Sequence, residues 1–285
     1  MLDRDEHHLK LSWSQLRAHA ECKQKAFLYR EGHRGPGQDL RGYYHGMVVD
    51  SAMRAWLADP DRHRGQMAAR IDDVIDKGIA DAKEAGDGVV RWKSATDRHD
   101  MREFCVELVT RLEPILERTV LPYPHDCAYR FSVDATVPYL DGTPTVISLV
   151  GEMDLFVHPA DTHVVWDLKG TRDNAYWRKV LGQLVFYDIC ALSITGQAPH
   201  HVGLIQPMCD QQTLTFAISD DDRRVMWARI LSVAADRWRQ DHACKTDTKD
   251  CNWCDVKHAC ARYRPTGNTV SLLGAGLRTA IQEEP

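Results

Sequence analysis

Several features of membrane, secreted and nucleotide-driven proteins are missing from this sequence. No window approaches the roughly 20 consecutive apolar residues that a membrane helix needs, and no apolar stretch of a secretory signal follows the first methionine. No Gly-x-x-x-x-Gly-Lys-Ser/Thr phosphate loop is present, so any ATP-driven unwinding would need another protein. We therefore expect a cytoplasmic protein, in the host cytoplasm if it is encoded by a phage, with no membrane partner.

An excess of positive charge is also missing. The 285 residues include 36 Lys and Arg against 41 Asp and Glu, which gives a formal net charge of -5. This balance argues against a protein that coats nucleic acid by bulk charge. The composition is otherwise that of a globular protein, with 44% hydrophobic and 27% charged residues.

The hydrophobic pattern changes along the chain. Helical spacing dominates the first part, and runs rich in Val, Ile, Tyr and Phe follow it. The predicted helices cover 12–30, 40–58, 63–85, 97–119, 174–195 and 220–242, and the predicted strands cover 128–139, 145–157, 162–168, 200–207 and 212–218. We also expect a Gly-rich joint near 86–88. This order predicts an α/β (α+β) fold in which a mixed sheet is flanked by helices, with an N-terminal helical region.

Two carboxylates and a lysine lie at the ends of neighbouring predicted strands. Asp154 ends Gly-Glu-Met-Asp in one strand, and Asp167-Leu-Lys169 ends the next. Antiparallel strands can bring the two carboxylates together, and a hard cation such as Mg²⁺ or Mn²⁺ relieves their repulsion. The period-two pleat puts Asp167 and Lys169 on one face, where the ammonium can orient a metal-bound water. These groups suit phosphodiester hydrolysis.

Taken alone, Asp-Leu-Lys is more typical of a strand-end turn with solvated charges. The helix that follows changes this interpretation, because Gln183 and Tyr187 are four residues apart and share one helical face. That face can aim both side chains at the carboxylates.

The motifs Gly-x-x-Asp, Asp-x-Lys and Gln-x-x-x-Tyr, in this order, resemble the PD-(D/E)XK nuclease superfamily, and its RecB-type exonuclease branch in particular. The resemblance implies a restriction-endonuclease-like fold and assigns roles to seven residues. They are His45, Asp154, Asp167 and the Leu168 carbonyl as metal ligands, Lys169 as the catalytic lysine beside the two aspartates, and Gln183 and Tyr187 for positioning DNA or the attacking water. Glu152 is an expected additional ligand for a second metal, and His33 and His63 stay open as alternatives to His45.

The nine cysteines are unevenly placed. In a chain without a secretory signal they are expected to be thiols or metal ligands, not disulfides. Cys251-x-x-Cys254 and Cys260 provide three thiolates in one loop. Cys22 or Cys244 can supply a fourth ligand, His258 is a further candidate for zinc, and the spacing allows either zinc or an iron–sulfur cluster.

The same resemblance bears on the cysteines. RecB-like nucleases of the AddB and CRISPR-associated Cas exonuclease types hold a 4Fe–4S cluster with one N-terminal and three C-terminal cysteines. Carried over, Cys22, Cys251, Cys254 and Cys260 would bind a structural 4Fe–4S cluster. Lys23 departs from the family, which often has Pro at that place. The other cysteines are expected to pack in the core; they are Cys105, Cys127, Cys190 and Cys209.

Aromatic and basic residues after the Asp-x-Lys strand are candidates for DNA contact. These are Tyr176, Trp177, Arg178 and Lys179. Four other aromatic residues are candidates for base stacking, although core packing is the more common role; they are Trp13, Tyr29, Tyr43 and Tyr44.

The sequence thus predicts a single RecB-like nuclease domain over 1–264. Its parts are a helical region at 12–120, a nuclease core at 125–242, a cysteine loop at 243–264 that closes onto Cys22, and a loosely held tail at 265–285. The expected activity is a metal-dependent DNA exonuclease that prefers single strands or ends, in recombination, repair or CRISPR adaptation, with recombination or CRISPR integration proteins as partners. The alternatives are a structure-specific endonuclease, a non-catalytic DNA-binding adaptor, and a zinc-stabilised binding module.

Overall fold

The computed structural model describes residues 8–33, 41–84, 95–159, 162–241, 243, 251, 254 and 256–260, with the backbone alone for 41–44, 79, 81–84 and 95–96. The joint predicted at 86–88 and the tail predicted from 265 lie outside the described residues. By compactness the chain divides into two units, one of Met1–Arg17 and Gly37–Asp241 and the other of Ala18–Pro36 and His242–Pro285.

Helices and strands follow the predicted order, with one additional strand at the start. The described strands are β1 (His8–Leu11), β2 (His125–Pro138), β3 (Pro144–Val157), β4 (Val164–Leu168), β5 (His201–Ile205) and β6 (Thr213–Phe216). The described helices are α1 (Trp13–Glu21), α2 (Lys23–Arg30), α3 (Arg41–Ala58), α4 (Gln66–Ala69), α5 (Ile71–Glu84), α6 (Ala95–Thr119), α7 (Trp177–Thr195) and α8 (Asp220–Trp238).

Strand β3 pairs with three other strands, β1, β2 and β4, in a six-stranded mixed sheet. One of its edges pairs with antiparallel β2 along its length, except at Ala128 and Asp154. Its other edge is shared, because β1 runs parallel to residues 146–149 and β4 runs antiparallel to residues 155–157. Strands β5 and β6 extend the sheet beyond β4. In the part of the chain that the structure describes, no strand pairs with residues 150–154 on this shared edge, so the sheet has a gap between β1 and β4.

Two hydrophobic clusters cover the two faces of the sheet. Along β4, Val164 and Trp166 belong to one cluster and Val165 to the other, as the alternation of side chains in a strand requires. Helices α3 to α6 contribute to the first cluster, and α1, α7 and α8 contribute to the second. The prediction of a mixed sheet flanked by helices is therefore confirmed. Among the helices that the structure describes, none combines the length and the apolar character needed to cross a membrane.

Some element boundaries differ from the sequence predictions. The helix predicted over 12–30 is two helices, because Cys22 has an extended backbone with φ -167° and ψ 123°. The helix predicted over 63–85 also divides, since α4 ends before Arg70 and α5 begins after it. The sequence does not predict β1, because four residues are too few for a periodic signal. Parallel pairing with β3 stabilises β1, with Leu11 opposite Leu149.

Candidate active site

The site begins where β3 and β4 separate. Their ladder ends with Leu155 opposite Trp166. Just beyond this pair, the backbone N–H of Leu168 donates a hydrogen bond to Oδ2 of Asp154 at 2.7 Å. A carboxylate therefore replaces the backbone partner that Leu168 would find in a continuous ladder, and Asp154 is held at the divergence of the two strands.

Asp167 and Lys169 form a close ion pair on β4 and the residue after it. Asp167 is fully buried, and Nζ of Lys169 lies 2.6 Å from its Oδ2. Besides this ammonium, Oδ2 of Asp167 has no hydrogen-bond partner among the described residues. The Lys169 backbone N–H donates to the carbonyl of Ile205 at 2.9 Å, which continues the bonding to β5 past the end of β4.

The electrostatics of the three charged groups are coupled. Burial, with the negative charge of Asp167 second, raises the pKa of Asp154 to about 7, against the opposing effect of Lys169. Burial also raises the pKa of Asp167. For Lys169 burial acts to lower the pKa, but the carboxylates of Asp167 and Asp154 outweigh it and raise that pKa. Lys169 therefore stays an ammonium at neutral pH, while the two carboxylates repel each other.

Helix α7 approaches the gap in the sheet with two polar side chains. Nε2 of Gln183 donates to Oδ1 of Asp167 at 3.1 Å and to the hydroxyl of Tyr187 at 2.8 Å. The Tyr187 hydroxyl donates in turn to the carbonyl of Glu152 at 2.8 Å. Gln183 and Tyr187 thus form a chain of hydrogen bonds from the buried Asp167 carboxylate to the part of the β3 edge that has no partner strand among the described residues.

The carboxylate of Glu152 is held by two arginines. Arg54 of α3 contacts its Oε1 at 2.5 Å, and Arg130 of β2 contacts its Oε2 at 2.8 Å. Arg54 also pairs with Asp50 one turn earlier on the same helix. Burial acts to raise the pKa of Glu152, but Arg130 and Arg54 outweigh it and lower that pKa. Both oxygens have cationic partners, which leaves the expected role in a second metal site without structural support.

Comparison with known proteins adds one decisive match. Residues 10–261 match the family model described as the PD-(D/E)XK nuclease superfamily. The chain belongs to the PD-(D/E)XK nuclease superfamily. Membership implies nuclease activity on a nucleic acid substrate, and nucleases of this superfamily usually use divalent metal ions such as Mg²⁺.

Other comparisons add little. No curated protein matches this sequence. The solved structure "Crystal structure of SSO0001" is 12% identical to this chain, and the match covers 77% of this chain and 97% of that one, with a TM-score of 0.36.

The donor set fits the divalent ion that PD-(D/E)XK nucleases use. Asp154 and Asp167 repel each other, and among the described residues the buried Oδ2 of Asp167 has no partner besides the Lys169 ammonium. A hard cation satisfies both conditions. Across the described residues, however, no group of three or more His, Cys, Asp or Glu side chains has metal-binding geometry.

His45 stays a predicted metal ligand. Its ring lies 5.0 Å from the ring of Phe104, which places it between α3 and α6. The two alternatives lie elsewhere in the chain: His33 follows α2 in the smaller compact unit, and His63 precedes α4, where its carbonyl accepts a hydrogen bond from Trp56.

The predicted DNA-contact residues open α7. Trp177 packs against Phe216 of β6, with ring centroids 5.8 Å apart, and Arg178 lies over the Trp177 ring. Lys179 lies over the ring of Tyr176. Arg178 and Lys179 are exposed, and Lys179 also pairs with Asp173 at 3.3 Å. Both cations can therefore be reached by a phosphate backbone, although Lys179 would exchange its pair with Asp173 for the phosphate.

Of the four other aromatic candidates for base stacking, the structure describes the side chains of Trp13 and Tyr29. Trp13 packs against α7, where its ring lies 6.4 Å from Phe186 and the Arg229 guanidinium lies over it. This is the core-packing role. Tyr29 has Lys25 over its ring. The side chains of Tyr43 and Tyr44 lie outside the described residues.

The cysteines divide into two groups. The four expected in the core are buried or half-buried; they are Cys105, Cys127, Cys190 and Cys209. The four expected to bind a cluster are half-buried thiols assigned to the smaller compact unit; they are Cys22, Cys251, Cys254 and Cys260. In the same unit His258 is exposed, and Cys244 lies outside the described residues.

Two contributors to this site are missing from the sequence predictions. Arg54 and Arg130 carry no motif, and the spacing of Asp50 and Arg54, four residues apart on one helix, is the single local signal. The arginines become part of the site because α3 and β2 meet at Glu152.

Proposed function

We propose that this protein is a metal-dependent DNA exonuclease that prefers single strands or DNA ends. The observation that carries the proposal is the arrangement of Asp154, Asp167 and Lys169 at the point where β3 and β4 separate. Two repelling carboxylates beside a charged lysine form a site for a cation and for a phosphate that is being cleaved.

The residues have separate tasks in this proposal. Asp154, Asp167, the Leu168 carbonyl and His45 would hold Mg²⁺ or Mn²⁺, which when bound lowers the pKa of a coordinated water and offsets charge on the scissile phosphate. Lys169, whose pKa the carboxylates raise, stabilises negative charge that develops on the phosphate.

Gln183 has an orienting task. It donates to Asp167 and to Tyr187 from the same nitrogen, so it fixes the direction of the Asp167 carboxylate. The exposed charges of Arg178 and Lys179 would bind the DNA backbone, with Tyr176 and Trp177 beneath them.

The RecB-like assignment rests on the order of the nuclease motifs and on the cysteine pattern, and the Cas-type assignment and the 4Fe–4S cluster rest on the cysteine pattern. The division of the chain supports them, because residues 18–36 and 242–285 fall in one compact unit although they are far apart in sequence. A cluster bound by Cys22, Cys251, Cys254 and Cys260 would join the two ends of that unit. The settings that suit such an enzyme are recombination, repair and CRISPR adaptation.

The test is a nuclease assay on end-labelled linear and circular DNA, single- and double-stranded, with Mg²⁺ or Mn²⁺. Lys169→Ala is the inactive variant, and Lys77→Ala, an exposed lysine on α5, is the matched control. We expect the wild-type protein and Lys77→Ala to degrade linear single strands, with activity lost in EDTA. Lys169→Ala should lose at least about a hundredfold in rate.

Each other outcome selects an alternative. Cleavage of circular DNA would replace the exonuclease with an endonuclease. Tight DNA binding without cleavage, in protein with metal supplied, would favour the non-catalytic adaptor.

The cluster has its own test. Protein purified without oxygen should be brown and contain iron and sulfide, and Cys251→Ser should lose both. Cys209→Ser is the control, because Cys209 donates to the carbonyl of Thr171 and a serine can do the same. A colourless protein that contains zinc would refute the iron–sulfur cluster.

A further inference from the structure

A left-handed backbone residue lies directly opposite Asp154. Ala128 of β2 has φ +57°, which L-residues with a side chain rarely adopt. The ladder between β2 and β3 pairs Cys127 with Leu155 and Tyr129 with Met153, and it omits Ala128 and Asp154. Ala128 and the candidate metal ligand Asp154 therefore lie opposite each other at a single interruption of the ladder between β2 and β3.

The faces of β3 exchange at this interruption. Residues two apart on a regular strand face the same side of the sheet. Met153 nevertheless belongs to the cluster with α7 and α8, and Leu155 belongs to the cluster with α3 to α6. The side chains of β3 thus change sides between these two residues.

Strand β2 shows the same exchange at the same place. Tyr129 packs on the α7 side and Cys127 packs on the opposite side. Because both strands exchange faces together, they stay paired on either side of the interruption. A left-handed residue supplies the rotation of the backbone that this exchange needs.

The exchange has a consequence for Asp154. The residue leaves the ladder with β2, and its side chain accepts the N–H of Leu168 from the strand on the other edge. A regular strand pair would keep Asp154 in the ladder and would turn Leu155 and Val157 away from the core in which they are buried.

We propose that Ala128 is a positioning residue of the nuclease site: its left-handed backbone rotates β3 so that the Asp154 carboxylate meets Leu168 in the geometry that binds the metal ion. This rests on the proposed function as a metal-dependent nuclease. Strained backbone conformations of this kind cluster at functional sites, where the surrounding structure maintains them.

The test replaces Ala128 with residues that differ in how well their backbone adopts a positive φ. Gly and Asn tolerate a positive φ, and Val does not. The variants are Ala128→Gly, Ala128→Asn and Ala128→Val. The matched control is Ala135→Val on the same strand, where Ala135 pairs regularly with Ile147. Two quantities are measured: Mn²⁺ affinity by electron paramagnetic resonance, and the NMR shift and hydrogen exchange of the Leu168 amide in metal-free protein.

We expect the Gly and Asn variants to keep the wild-type Leu168 amide signal and to bind Mn²⁺ within about threefold of wild type. Ala128→Val should shift the Leu168 amide, speed its exchange, and weaken Mn²⁺ binding at least about tenfold, the range typical when residues that orient metal ligands are changed. Ala135→Val should leave both quantities unchanged.

Two results would overturn the proposal. One is Ala128→Val with a wild-type Leu168 amide and wild-type affinity. The other is a lower melting temperature for Ala128→Gly than for wild type, because glycine is unfavourable in a regular strand and favourable at a positive φ. This second result can be obtained even if the Val variant does not fold. If wild-type protein binds no Mn²⁺ at all, the proposed function fails, while the Leu168 amide still decides the role of Ala128.

Discussion

The hydroxyl of Tyr187 donates a hydrogen bond to the backbone carbonyl of Glu152 at 2.8 Å and so ties α7 to the edge of β3. This bond lies in the gap between β1 and β4, where the edge of β3 has no pairing strand among the described residues. Burial raises the pKa of the Tyr187 hydroxyl, so the phenol stays neutral at any working pH. Tyr187 therefore acts here as a neutral hydrogen-bond donor that ties α7 to β3.

Tyr187→Phe should destabilise the protein more than it slows the reaction. The change leaves the Glu152 carbonyl without its donor and removes one of two acceptors from Gln183. We expect a loss of about 1–2 kcal/mol in the free energy of unfolding, measured with urea, and a fall of about tenfold in nuclease rate. Tyr123→Phe, at an exposed tyrosine, is the control and should change neither. Complete loss of activity with unchanged stability would show that the hydroxyl takes part in the reaction.

Asp154→Asn should stabilise the metal-free protein above neutral pH. The pKa of Asp154 is raised to about 7 in the folded protein, against an ordinary value near 4. Between about pH 4 and about pH 7 the folded state therefore binds more protons than the unfolded state, so this group lowers the stability as the pH rises through that window. The variant removes the effect, and we expect it to gain about 1–2 kcal/mol at pH 8 over wild type and almost nothing at pH 4.

Denaturant unfolding in EDTA at several pH values measures this difference. Saturating Mg²⁺ should reverse the order at pH 8, because the ion stabilises only the protein that binds it tightly. A difference that is the same at pH 4 and pH 8 would contradict the raised pKa.

Gly182→Ala should be destabilising, although alanine is the better helix former. A Cβ at Gly182 would lie 2.5 Å from the Trp13 ring, which packs on α7 beside Gln183. We expect a loss of about 1–3 kcal/mol from this overpacking. Gly46→Ala is the matched substitution in another helix, with nothing within 4 Å of the added Cβ, and it should gain about 0.5–1 kcal/mol. Thermal unfolding of both variants tests the pair, and a stable Gly182→Ala protein would show that Trp13 moves without cost.

Arg223→Met should have one of the largest effects on stability. Arg223 makes two hydrogen bonds to Asp188, which is 1% exposed on α7. Loss of the arginine leaves a buried carboxylate unpaired, and we expect about 3–5 kcal/mol of destabilisation at neutral pH. Arg224→Met, at the next residue, removes an exposed pair with Asp221 and a long hydrogen bond to the Asp220 carbonyl, and it should cost less than about 1 kcal/mol. Equal effects of the two substitutions, measured by urea unfolding, would refute the importance of the buried pair.

Part of the site is readable from local sequence. Asp167 and Lys169 lie at the end of β4, and Asp154 lies three residues before the end of β3. The two-residue period places Asp167 and Lys169 together, as their 2.6 Å contact shows. The four-residue spacing of Gln183 and Tyr187 likewise predicts their shared helical face, and they contact each other at 2.8 Å. These relations follow from backbone periodicity alone, so they need no knowledge of the fold.

The remaining relations join residues that are distant in sequence. The hydrogen bond from Arg54 to Glu152 joins α3 to β3, and the two residues are 98 positions apart in the sequence. The exchange of faces at Ala128 and Asp154 depends on two strands turning together, which no single stretch of sequence encodes.

The sequence by itself thus determined the order of helices and strands, the superfamily and the charged residues of the site, because these depend on periodicity and motif spacing. Only the tertiary structure decided that β1 and β4 leave a gap along β3, that Tyr187 supports this gap, and that Glu152 is held by arginines. The physical reason is that strand pairing and side-chain packing are set by contacts between distant segments, whose free energies no local pattern contains.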